Sequence, residues 1–206
     1  MIPLAAALLS AALAEFKADF PGASVVESPS GGRLTHASNF EARGFGNAPA
    51  PAARGFLGRY GAAVGIGPRQ ELAVRVAPPK GGMGAVRFER RIGGLPVFDG
   101  DVVVGVDAAS AVILVNAADV PPQVEGRHRK SRSAAVRSAT AGLEISDPPR
   151  AQQGWRASGQ AIRPVWRVDA IATKPPGSFR AYVDAETGKV LFRIDLRASK
   201  TRGPAH

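Results

Sequence analysis

The chain of 206 residues has no cysteine, which excludes disulfides, a lipoprotein anchor and a thiol nucleophile, and leaves packing to supply any stability outside a cell. Aromatic residues are scarce at 6%, and most arginines alternate with apolar residues along strand-like runs. The net charge of +10 therefore does not read as a nucleic-acid surface, which couples clustered cations to stacking aromatics. Histidine is confined to His36, His128 and His206, no two of them four residues apart, so a helical zinc pair is excluded along with the His-Glu-x-x-His signature. His36 reads as a solvated loop residue. Gly44-Phe45-Gly46 and Gly65-Ile66-Gly67 lack the strand-loop-helix setting of a phosphate site, and no serine has a nucleophile-elbow environment. Glu89, Asp99 and Asp101 neighbour strands or turns, where carboxylates are solvated or paired with arginine. No catalytic residue, metal or cofactor is expected.

What the chain does have is an apolar content of 45%, enough to fill a core, and one long stretch of β pattern from Val86 to Asn116. Val86, Phe88 and Ile92 fall on one side of a strand, with Arg87, Glu89 and Arg91 on the other. Gly93-Gly94 break it, and Asp101–Asp107 and Ala111–Asn116 follow as Val-rich strands of an antiparallel meander. Val102, Val104 and Val106 oppose Val103, while Ile113 and Val115 oppose Val112 and Leu114. Strands apolar on both faces call for cover on both. That cover is either the irregular N-terminal segment or a partner protein.

The run VRFERRIGGLPVFDGDVVVGVD resembles the fungalysin/thermolysin propeptide domain. Arg87 and Phe88 carry the likeness in the strand and Gly94, Leu95, Pro96, Val97 and Phe98 in the turn, although Ala108 to Ala111 depart from the usual glycine turn. Further on, the string Arg163-Pro164-Val165-Trp166-Arg167-Val168 and the string from Tyr182 to Leu191 are similar to a PepSY domain. Trp166, Arg167, Val168, Asp184, Thr187 and Gly188 are its motif residues. The resemblance implies a non-catalytic prosegment that inhibits a cognate secreted zinc metallopeptidase, in cis or in trans, and acts as its intramolecular chaperone. A longer precursor could itself be the metalloendopeptidase. The alternative is a freestanding secreted or periplasmic PepSY-type protein-binding module that belongs to no protease.

In chain order, residues 1–14 are apolar and end in Ala12-Leu13-Ala14, a secretory signal with processing between Ala14 and Glu15; the alternative is a buried N-terminal helix. At about 1.5 Å per residue such a helix is too short to cross about 30 Å of hydrocarbon, so no stable membrane anchor is expected, and localisation is secreted or periplasmic. Residues 15–51 read as an irregular segment, with a short strand at Ser24-Val25-Val26. Residues 52–120 form the propeptide-like domain, opening with a helix whose apolar face carries Phe56, Tyr60, Ala63 and Val64. Residues 121–132 are a basic linker. Residues 133–197 form the PepSY-like domain, with Ser133 as N-cap of a short helix, a loop from Asp147 to Gln160, and three strands after it. Residues 198–206 are an exposed tail, in which Lys200 and Arg202 are candidate processing positions. The expected fold is α+β: two small units, each an antiparallel sheet of about three to four strands packed with one helix.

Overall fold

A computed structural model describes residues 4–197, which form three helices and twelve strands, an α+β chain. The described chain divides into two compact units, residues up to 124 with 157–162, and residues 125–156 with 163 onward. Lys200 and Arg202 lie outside the described residues.

The first unit contains α1 (Leu4–Asp19), β1 (Ser24–Glu27), β2 (Leu34–Ser38), α2 (Pro49–Tyr60), β3 (Glu71–Val76), β4 (Gly84–Ile92), β5 (Leu95–Phe98), β6 (Val102–Val106) and β7 (Val112–Ala117). Its strands lie in the order β1-β2-β7-β6-β4-β5, with β3 also on β4, and every one of these pairs is antiparallel. Seven strands and two helices exceed the expected three to four strands and one helix. The surplus is α1, the short β5 in the connection after Gly94, and β1 and β2, which extend the sheet beyond β7 through His36 opposite Asn116 and Ala37 opposite Val115. Such short strands carry no periodicity of their own and exist because β7 offers them an edge.

Residues 9–14 lie within α1, which runs through Ala14 and Glu15 without a break and buries Leu9, Leu13 and Phe16. These positions recur at four and three residues, one face of a helix. Phe16 meets Phe40, Phe56 and Tyr60 edge-on at centroid distances of 5.4, 6.4 and 5.6 Å, so α1 and α2 share one aromatic cluster over the sheet. Helix α2 begins at Pro49, where the missing N–H is no loss. Its Gly55 lies so close to the Phe45 backbone that a Cβ there would stand 2.4 Å from the Phe45 carbonyl oxygen.

The second unit contains α3 (Arg132–Thr140), β8 (Glu144–Ile145), most of β9 (Arg150–Ser158) and β10 (Ala161–Lys174), β11 (Pro176–Asp184) and β12 (Val190–Asp195). The strand order is β9-β10-β11-β12, with β8 on β10. Ala135 and Ala139 let α3 approach Val168, Ala181 and Val183 closely. The N-cap is Ser131, whose Oγ accepts from the Ala134 N–H at 3.3 Å, and Ser133 instead bonds Ser131. Strand β9 replaces the loop expected over 147–160. Its sequence RAQQGWRAS is polar, with only Gly154 and Trp155 buried, so the pattern does not announce a strand that β10 nevertheless templates.

Candidate protein-binding surface

Alternation along β4 decides what the first sheet hides and what it shows. Val86, Phe88, Arg90 and Ile92 point into the core, while Arg87, Glu89 and Arg91 point away from it. On β6 the buried face is Val102, Val104 and Val106, and Val103 is half-buried on the other. The register aligns one outer row across six strands: Val26, His36, Asn116, Val103, Arg87 and Val76. Helices α1 and α2 cover only the inner face. On the outer side Val103, Ile113 and Leu114 remain half-buried, and Val26 and Val76 are 56% and 60% exposed.

Charges frame these apolar positions. Arg87 bonds Asp101 at 3.0 Å, and Glu89 bridges Arg75 at 2.8 Å and Arg91 at 2.6 Å. His36 shares a hydrogen bond with Asn116 through Nδ1 at 2.7 Å, so it belongs to the sheet and not to a loop. A face with apolar centres and exposed ion pairs can bury area against a protein partner, and exposed pairs cost little to rearrange.

Behind the sheet sits the strongest electrostatic feature, and the sequence reading passed over it. Arg90 is 0% exposed. Its Nη1 donates to the Gly65 carbonyl (3.1 Å) and Gln70 Oε1 (3.2 Å), and its Nη2 to the carbonyls of Val64 (2.9 Å) and Ala118 (3.4 Å). Burial, aided by the charge of Arg33, pushes the Arg90 guanidinium down to about 10. Nearby, Arg33 forms a two-pronged pair with Asp119 at 2.6 and 3.1 Å, and Ser28 donates to the same carboxylate at 2.6 Å. Burial opposes ionisation of Asp119, but these bonds and the Arg33 charge outweigh it and hold the carboxyl below its usual range. Arg90 ties the segments after α2 and β7 to β4, and Arg33 ties the β1–β2 loop to the segment after β7. Parity alone places Arg90 with Phe88 and Ile92, a signal already present in the strand pattern.

The residues expected to carry the two likenesses fall into two groups. Arg87 and Phe88 lie on β4; Gly93 and Gly94 make the following turn at φ of 55° and 75°; and Leu95, Pro96, Val97 and Phe98 form β5, with Val97 and Phe98 buried. Trp166, Arg167 and Val168 lie on β10 opposite Val183, Tyr182 and Ala181. Asp184, Thr187 and Gly188 make the β11–β12 turn: Asp184 Oδ1 accepts from the N–H groups of Glu186 and Thr187, and Gly188 takes a φ of 83°. Ser110 supplies the positive φ, 64°, in the glycine-free turn before β7. Among the described residues no three potential metal ligands cluster, and no helix is long and apolar enough to cross a membrane.

Residues 74–118, the end of β3 through the residue after β7, match the family model of the Fungalysin/Thermolysin Propeptide Motif. Over those residues the chain is similar to a protease propeptide motif. No curated protein matches the chain. Among solved structures, the Bacillus megaterium YpeB C-terminal domain is similar over 95% of this chain and 98% of that one, with 12% identity and a TM-score of 0.35.

Proposed function

We propose that this chain is the non-catalytic prosegment of a secreted zinc metallopeptidase, acting as its inhibitor and as an intramolecular chaperone, with a PepSY-like second unit. The carrying observation is the propeptide motif over residues 74–118, lying in a sheet whose outer face keeps Val103, Leu114 and Val76 accessible. A prosegment that binds the folded protease and not its unfolded chain stabilises the folded form by mass action, and tethering raises its effective concentration to about the millimolar range. Residence outside the cytoplasm belongs to the same proposal, and the mass of the mature chain tests whether cleavage occurs after Ala14.

The test mixes the full chain with thermolysin-like enzymes and follows peptide hydrolysis, then repeats the measurement while the denatured enzyme refolds. Inhibition together with a higher refolding yield supports the proposal. Absence of both across several such enzymes defeats it.

A further inference from the structure

Charge is unevenly divided along the chain. Residues 1–124 with 157–162 carry eleven basic and ten acidic side chains, whereas residues 125–156 with 163–197 carry fourteen and seven. Nearly all of the excess positive charge within residues 1–197 therefore belongs to the second unit. There it meets a surface that α3 does not cover.

Opposite α3 the second sheet presents two cross-strand rows, Arg167-Tyr182-Phe192 and Asp169-Arg180-Ile194, and beyond them Ile171 beside Ser178. Arg156 lies over the stacked Tyr182 and Phe192 rings at 5.2 and 4.6 Å from their centroids. Arg180 is clamped by Asp169 through bonds of 2.7 and 3.2 Å, which holds the guanidinium on this face. Next to it opens a recess of about 580 Å³, whose lining includes Asp147, Arg150, Asp169, Ile171, Arg180 and Leu196. Ile171 is 52% exposed, the Arg150 side chain is exposed with no ion pair or hydrogen bond among the described residues, and Asp147 accepts from Ser146 Oγ at 3.0 Å. The second sheet thus shows an uncovered aliphatic floor beside Arg150, which neither Asp169, held by Arg180, nor Asp147 pairs.

We infer that this recess and the arginine rows beside it form a docking face for an extended acidic polypeptide segment, its carboxylates meeting Arg150 and its aliphatic side chains covering Ile171 and Leu196. Charge complementarity selects the partner: the unit is strongly cationic, and an exposed Arg150 beside apolar surface gains most from a carboxylate that arrives with apolar neighbours. Aromatic rings suited to base stacking are withdrawn, since Tyr182 is buried beneath Arg156. The inference deepens the propeptide reading and rests on it for the protein nature of the partner.

The experiment uses the full chain and a fluorescein-labelled peptide of alternating glutamate and leucine, read by polarisation at near-physiological salt. Arg150→Glu and Ile171→Glu each weaken binding about tenfold or more, because one reverses a contact charge and the other sets a carboxylate on the apolar floor. Arg137→Glu, the same charge change on exposed α3, weakens it by less than about twofold, the share expected of screened long-range attraction. Both test positions are exposed, so unchanged melting temperatures accompany these shifts. Equal loss in Arg137→Glu and Arg150→Glu, or no loss in either test variant, overturns the docking face. Displacement of the peptide by duplex DNA or by phosphatidylglycerol vesicles as readily as by unlabelled peptide also overturns it. Metallopeptidase inhibition is scored separately: a wild-type chain that fails to inhibit counts against the prosegment reading, and Arg150→Glu binding loss still upholds the face. Undiminished peptide binding by Arg150→Glu in a chain that does inhibit overturns the face and spares the prosegment reading.

Discussion

Replacing Arg90 with methionine removes a buried cation while keeping a side chain of similar length. In the native chain four acceptors surround the guanidinium, and its Nε has no partner. Two of the four keep other donors after the change: Ala118 O still accepts from the Val120 N–H at 2.8 Å, and Gly65 O from Gln70 Nε2 at 3.5 Å. Val64 O and Gln70 Oε1 are the acceptors left bare in a closed core. At about 1–3 kcal/mol for each orphaned group, the loss is about 2–6 kcal/mol. Relief from burying a charge offsets part of it, and a net destabilisation of about 2–4 kcal/mol is expected. Urea unfolding of the full chain at neutral pH measures it, with an unchanged denaturant slope showing that both states keep their compactness. A methionine variant as stable as the wild type, or more so, refutes the cage argument. A second reading comes from alkaline pH. Because burial lowers the folded-state value to about 10, the native state releases this proton before the unfolded chain does, so wild-type stability relative to the variant rises as pH climbs through that value. A falling difference over the same range refutes the assignment independently.

Val104→Asp places a carboxylate among Val86, Val115 and the aromatic cluster, all buried, and should unfold the first unit, an effect of several kcal/mol by order of magnitude; an unchanged melting temperature contradicts the strand assignment. Two glycines of α2 should respond in opposite directions. Gly58→Ala meets nothing within 4 Å and should stabilise by about 1 kcal/mol, whereas Gly55→Ala drives a Cβ into the Phe45 carbonyl and should destabilise; thermal melts giving both the same sign would refute the close approach. Asp119→Asn should be less stable than the wild type at about pH 6, and the gap should close as pH falls through the carboxylate range, because a lowered native value is stabilising only while the group stays ionised. Parallel stability curves for the two down to about pH 2 would remove Asp119 from the electrostatic account.

Local pattern was enough for the elements that declare themselves over short range. Alternation set out β4, β6, β7 and β12, a helical stripe set out α2, and Asp184-Ala185-Glu186-Thr187-Gly188 announced its own turn, because period and turn chemistry are properties of neighbouring residues. The propeptide motif was legible for the same reason: its arginine-aromatic strand, glycine turn and valine return are contiguous. Only the tertiary structure decided what long-range pairing controls. It recruited Leu13 and Phe16 of α1 into the aromatic core, made strands of polar segments that β7 and β10 template, and closed four acceptors around Arg90 from three separate stretches of chain. It also determined which valines stay uncovered and where the second unit gathers its arginines. Exposure and charge proximity depend on residues far apart in sequence, so no window of neighbouring residues contains them.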